Sequence, residues 1–554
     1  MGSLVTRYLQ LLLPLALLIG CTRSEPERTV PSSARPPAFV DVALAAGLGR
    51  AHTGGGPDKG YIVEAKGGGS AVLDADGDGD LDIFWVNGAT LESPDRGPGN
   101  ALYRNDGALQ FTDIALAAGV TGAGWGMGSV AADYDNDGDT DIYVTCLQAN
   151  QLFRNEGGPF AEVAALTHVN VTQWSTGAAF GDYDLDGDLD LYVADYVDFS
   201  AASIERLGTQ WKGVPSFVGP LGLLPQRDHL LRNDDGVFVD VSDATGISAV
   251  AAGYGLGVVM TDIDTDGDAD IYVANDSSPN FLFRNEAGHF VEIALMAHVS
   301  HGAMGNAQAG MGVAVGDYDA DGNPDLLVTN FDDDYNTLYH NEGNGSFEDV
   351  SFSAGIAQPE LPFVGFGAIF LDFDHDTRLD LFIANGHVYP QIDSSGTNST
   401  YAQRDHLYRN LGDGRFAPFP PSGASPFPAR VSRGAVAADF DNDGDLDLFV
   451  AHLNDHPALY RNDAAAGNWL GVGLIGDGSN RDGLGARVVV YSGGQRQTRE
   501  AIRGSSFLSS EDPRLHFGLG QAAIVDSLKV YWPAGGVQRL LAVEVNRYLF
   551  LREP

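Results

Sequence analysis

Cysteine is almost missing from this chain: Cys21 and Cys146 are the only two among 554 residues. That excludes the disulfide framework that staples many secreted domains. Basic residues are also few, 32 Lys and Arg against 75 Asp and Glu, which leaves a formal charge of −43. A surface of that sign repels phosphate backbones, so nucleic acid is not expected as a partner. No nucleophile elbow, phosphate loop, dinucleotide fingerprint or zinc pattern occurs, so no reaction class is marked by motif. What the chain does have is 71 glycines, 44% hydrophobic and 10% aromatic residues. This composition favours short strands and tight turns around packed cores, not a disordered acidic tail. The acid excess would oppose a compact fold unless positive charge offsets it.

At the N-terminus, Arg7 precedes an apolar run, residues 9–19, that is short for a membrane span. The run ends in Leu18-Ile19-Gly20-Cys21, which resembles the bacterial lipobox. The resemblance implies a signal peptide over residues 1–20, cleavage before Cys21 and acylation of that cysteine. An ordinary secretory signal with an incidental cysteine is the other reading. Residues 21–37, rich in Pro, Ser and charge, read as an extended tether of about 50 Å at about 3.1 Å per residue. Thr22, where Asp is not found, resembles lipoproteins sorted to the outer membrane. The expected location is extracytoplasmic, on the outer membrane or cell surface, held by a lipid anchor at Cys21.

The body of the chain repeats. Seven segments follow D-x-D-x-D-G-x-x-D, at intervals of roughly 50 to 80 residues that suit one propeller blade each. They comprise Asp74, Asp76, Asp78, Asp80 and Asp82; Asp133, Asp135, Asp137, Asp139 and Asp141; and Asp182, Asp184, Asp186, Asp188 and Asp190. Next come Asp262, Asp264, Asp266, Asp268 and Asp270, then Asp317, Asp319, Asp321, Asn323 and Asp325. The last two are Asp372, Asp374, Asp376 and Asp380, and Asp439, Asp441, Asp443, Asp445 and Asp447. A Gly-rich alternating stretch precedes each motif (strand A), and a β-branched or aromatic run such as Ile142-Tyr143-Val144 follows it (strand B). A Leu-Tyr-Arg-Asn element (strand C), a Gly turn and a Phe-led strand D complete the unit. The seventh unit lacks strand D, while an orphan Phe39-Val40-Asp41-Val42 stands before the first. The N-terminal strand is therefore expected to complete the last blade and close the ring.

Alternating carboxylates on a turning loop suit Ca²⁺, a hard cation that takes six to eight oxygens at roughly 2.3–2.6 Å. Positions 1, 3, 5 and 9 and the carbonyl at position 7 would supply them, and glycine at position 6 permits the turn. Seven bound ions would bring the charge from −43 to −29. The sixth loop has Thr377 for the glycine and Arg378 at position 7, so it is expected to be the weakest of up to seven sites. An EF-hand needs Glu at position 12, where this chain has Trp85, Val144, Val193, Val273, Val328, Ile383 and Val450. Ligand positions without His or Cys argue against transition metals.

These loops and their flanking strands resemble FG-GAP/VCBS repeats of integrin-α-type propellers. The resemblance covers residues 38–465 and implies calcium ligation by the same positions. From residue 466 the period changes to the strands of a small all-β module. Asn480-Arg481-Asp482-Gly483-Leu484-Gly485-Ala486, Leu515-His516-Phe517-Gly518-Leu519-Gly520 and Val530-Tyr531-Trp532-Pro533 resemble the ASPIC/UnbV domain that follows such propellers in cartilage-acidic-protein-like proteins. The expected fold is all-β: a seven-bladed β-propeller with a small C-terminal β-sandwich-like domain over 466–554.

Two insertions, 196–228 and 386–405, lie between strands B and C, hence on the face opposite the acidic loops. Trp211, Phe217 and Tyr389 are candidate ligand contacts there, and His387 is a candidate ligand or base. Packing over the central channel is the plainer reading of both insertions. Ser505, Ser506 and His516 read as turn and strand residues. The chain is expected to be a binding or adhesion protein for an unknown protein or glycan ligand. The alternative is an extracytoplasmic enzyme acting on carbohydrate or a secondary metabolite in the funnel, with Asp195 and Asp228 as unpaired candidate carboxylates.

Overall fold

The computed structural model describes residues 39–420, 425–463 and 467–554. Cys21, the expected signal segment 1–20 and the expected tether 21–37 lie outside them. Seven antiparallel four-stranded sheets follow one another, each in the order A, B, C, D. Strand A is Gly126–Ala132 in the second sheet and Gly255–Thr261 in the fourth, and strand B begins on the last aspartate of each loop, as in Asp82–Trp85 and Asp141–Cys146. These strands are buried at every position, because each sheet is covered on both faces by its neighbours. Between the first two sheets, for example, Leu73, Phe84 and Leu102 pack with Ala131, Ile142 and Phe153. Cys146 sits in that layer, and burial pushes its thiol up to about 12.

The inner strands touch in sequence around the ring, and the seventh, Ser432–Ala438, reaches the first, Ser70–Leu73. The closing strand is Phe39–Asp41: Phe39 pairs with Asn462 and Asp41 with Tyr460 in the seventh sheet. A closed ring of this kind leaves no long sheet edge unpaired.

The tail forms two sheets around Leu470, Val488, Phe517 and Val530. One has three strands, with Asn468–Ile475 between Leu515–Gly520 and Tyr548–Arg552. The other has four, in the order Gln495–Glu500, Arg487–Ser492, Ile524–Tyr531, Val537–Glu544. Val537–Glu544 carries no strand signal in the sequence, and the alternating run that begins at Gln495 is a strand only as far as Glu500, not to Ile502.

Beyond Glu500 the chain dives into the middle of the ring. Ser510 bridges to Ala71, Arg503 to Phe180 and Ser506 to Val313, all on inner strands of different sheets. Phe507 and Leu508 are buried against Phe366, Met127 and Met311. Gly69 is required here: a Cβ on it would lie 1.6 Å from the Leu508 carbonyl oxygen. The tail therefore plugs the channel from the side of the acidic loops.

Candidate functional site

Each acidic loop is wound around its own carboxylates. In the second loop, Asp133 Oδ1 accepts the N–H of Asp137 at 3.0 Å and Oδ2 that of Gly138 at 2.8 Å. Asp137 Oδ1 accepts from Asp139 at 2.9 Å, and Asp141 Oδ2 from Tyr134 at 3.3 Å. Position 6 is left-handed in every loop, for example Gly138 at φ +101° and Gly444 at +99°. Thr377 is forced to +83°, a strained conformation for a β-branched residue.

The winding brings ligand atoms within 4.8 Å of one another: Asp74, Asp76 and Asp82; Asp133, Asp135 and Asp141; Asp182, Asp184 and Asp190; Asp262, Asp264 and Asp266. Several of the oxygens have no hydrogen-bond partner, including Asp135 Oδ1, Asp264 Oδ1, Asp441 Oδ1 and both oxygens of Asp317. Burial, with neighbouring carboxylates adding to it, pushes Asp82 up to about 7, Asp270 to about 8 and Asp141 to about 9. Unsatisfied buried oxygens converging in this way fit a hard cation. Position 7 behaves differently. Asp80 accepts from Asn442 Nδ2 at 2.7 Å and Asp188 from Asn136 Nδ2 at 3.2 Å, so both carboxylates turn to the preceding loop.

Two loops depart from the pattern. In the fifth, His340 joins Asp319 and Asp321 in the cluster. A hydrogen bond to Asp325 and the surrounding carboxylates raise it to about 9. Sequence reasoning missed His340, although Leu338-Tyr339-His340-Asn341 breaks the Leu-Tyr-Arg-Asn rule. In the sixth, Arg378 pairs with Asp376, and Arg409 lies 2.6 Å from Asp374 and 3.2 Å from Asp376. Two guanidinium groups therefore already face that site.

The terminal Asn of strand C was not singled out, yet it fastens the loops together. Asn233 donates its N–H to Asp190 Oδ1 at 2.9 Å and its amide to the carbonyls of Leu189 and, in the preceding blade, Tyr134. The reach to the preceding loop recurs at Asn105, Asn155, Asn285, Asn341, Asn410 and Asn462, with Asn105 reaching Phe440 across the closure.

Asp228 ties the end of strand B, Asp190–Asp195, to the start of strand C, His229–Asp234. Its Oδ1 accepts the Asp195 N–H at 2.8 Å, as the Oδ1 of Asn150 does from Cys146 and that of Asn336 from Asn330. Asp195 accepts from Ser175 Oγ at 2.7 Å.

On the opposite face, the insertions wall a cavity of about 500 Å³. Trp211 meets Phe331 edge-on at 5.3 Å, and Phe217 lies 4.7 Å from Tyr389. Lys66 Nζ is 3.3 Å from Asp276, which also accepts from Tyr196 Oη; Lys212 Nζ is 2.9 Å from Asp332. His387 is buried, accepts the Tyr389 N–H on Nδ1 and stands 3.5 Å from Asp332.

Comparison with known families decides what this repeat is. The model of the FG-GAP-like repeat matches residues 74–144, 145–193, 262–328, 317–383 and 396–450, and that of ASPIC and UnbV matches 476–554. The chain belongs to the FG-GAP repeat family, with an ASPIC/UnbV domain as its tail. It is similar to cartilage acidic protein 1 of Mus musculus, 29% identical, with 88% of this chain and 74% of the mouse protein covered. The Homo sapiens protein is 27% identical, with 88% and 72% covered. Among solved structures, an Agrocybe aegerita lectin that recognises non-reducing terminal N-acetylglucosamine matches at TM-score 0.38. It is 16% identical, with 70% of this chain and 86% of the lectin covered.

Proposed function

We propose that this FG-GAP protein is a calcium-stabilised binding protein, displayed outside the cytoplasm on a lipid anchor at Cys21. The observation that carries the calcium reading is the convergence of loop carboxylates, several of whose buried oxygens lack hydrogen bonds among the described residues. Positions 1, 3, 5 and 9 would hold the ions, which supply the positive charge that an acidic ring needs. The anchor reading is supported by Leu18-Ile19-Gly20-Cys21 alone. The binding role is supported by long insertions set on a rigid ring, where recognition loops commonly sit. A protein or glycan at the cell surface is the ligand this arrangement serves.

Calcium analysis of purified, desalted protein should find about six or seven ions per chain, a count set by the loops. One or two would end the calcium reading. Cys21→Ser should move the protein from the membrane to the soluble fraction; unchanged partition would end the anchor reading. The sixth loop gives a sharper check. Thr377→Gly with Arg378→Asp relieves the left-handed threonine and removes one guanidinium. The double variant should bind its last calcium about tenfold more tightly by titration, a gain of roughly 1.4 kcal/mol.

A further inference from the structure

The cavity on the face away from the metal loops has no assigned occupant. Its walls come from segments that leave strand B or enter strand A: Asp276 follows Asp270–Asn275, and Met311 precedes Val313–Gly316. Phe217, Tyr389 and Met311 belong to the same apolar cluster as Phe507 and Leu508 of the tail. The plug therefore shares an apolar core with the lining without itself lining the cavity. About 500 Å³ is within the roughly 300–1,000 Å³ of ordinary small-ligand pockets.

We propose that this cavity binds a neutral saccharide of one or two rings, which rests on the reading of the chain as a binding protein. Three observations fix the chemistry. Charge deep in the site is only partly paired: Asp276 faces Lys66, Asp332 and Asp333 share Lys212, and Asp334 in the lining makes no ion pair among the described residues. The excess of carboxylate disfavours a free anion, and a cation is the competing occupant. Next, Trp211, Phe331, Phe217 and Tyr389 give the cavity an aromatic lining, and the negative face of such a ring suits the polarised C–H groups of a sugar. Finally, among the described residues Trp211 Nε1 and Ser216 Oγ make no hydrogen bond, and Asp332 Oδ2 has only His387 at 3.5 Å. These groups lie just behind the cavity surface, and a small turn of their side chains would let them pair with a ligand that both donates and accepts, as hydroxyl groups do. A purely apolar ligand would leave them unpaired.

The test is calorimetric titration of the calcium-loaded full chain with a panel of neutral hexoses, deoxyhexoses, N-acetylhexosamines and their disaccharides. A lysine methyl ester serves as the cationic comparison. At least one saccharide should bind. Trp211→Ala should weaken it by at least about tenfold, and Trp211→Phe, which keeps a ring but removes the donor, by several-fold. Melting and calcium content should stay at the native level. If Trp211→Ala fails to fold, Ser216→Ala and Trp211→Phe carry the test. Absence of any saccharide binding in a protein with a full calcium count overturns the proposal and leaves the calcium-scaffold reading standing. Binding of the lysine ester alone, or saccharide binding indifferent to Trp211 and Ser216, overturns it as well.

Discussion

EDTA is expected to lower the melting temperature by on the order of 10 °C or more at pH 8, and by much less at pH 5. One site filled at a hundred times its Kd contributes about 2.7 kcal/mol, so several sites together exceed the usual margin of a folded domain. The pH dependence follows from the carboxyls. Burial raises Asp82 to about 7, Asp270 to about 8 and Asp141 to about 9 in the folded chain. A carboxyl whose folded value is raised is more readily protonated in the fold than in the unfolded chain. Its stabilising effect is complete below the unfolded value, near 3.9, and is lost as pH rises through the folded value. Chelated protein should thus weaken progressively from about pH 4 to about pH 9, while calcium-loaded protein should hold. Scanning calorimetry at three pH values, with and without EDTA, checks both slopes. Equal melting with and without chelator at pH 8 would contradict the calcium scaffold outright.

Replacing Phe507 and Leu508 together by alanine should uncouple the tail from the ring. Both side chains are essentially buried, Phe507 at 0% and Leu508 at 3% exposure, against residues of several sheets. Truncations of this kind cost about 2–5 kcal/mol each, and here the loss falls on the inter-domain contact. The expected result is a calorimetric trace with a separate, earlier transition for the tail. Amide exchange in Ser70–Leu73 and Val313–Gly316 should also accelerate, since the plug bridges to both strands. Phe550, at 62% exposure, offers the control: its replacement by alanine should leave the trace unchanged. A single native-like transition in the double variant would mean that the plug adds no coupling.

Much of this architecture can be read from the residues. The period of the acidic motif gives the sheets, and the orphan Phe39 strand gives the closure, because a missing strand D and a spare one are complementary. The loop carboxylates are legible for the same reason: their spacing is local and their chemistry follows from turn geometry. What stayed hidden depends on contacts far apart in the chain. Residues 501–511 have no period, and their place in the channel is set by Ala71, Phe180 and Val313, hundreds of residues earlier. Val537–Glu544 is exposed or half-exposed throughout, so it lacks the buried face that marks a strand. The role of the strand C asparagine is invisible although its recurrence is plain, because one acceptor of its amide belongs to another blade.

Those asparagines have a mechanical consequence. Stacked repeats ordinarily melt from their ends, each unit being held only by its neighbours. Here Asn105 joins the first loop to Phe440 of the seventh, so the series of links has no terminal member. Loss of any one link strains two neighbours at once and offers no free end from which unzipping can start. The ring should therefore give way all together.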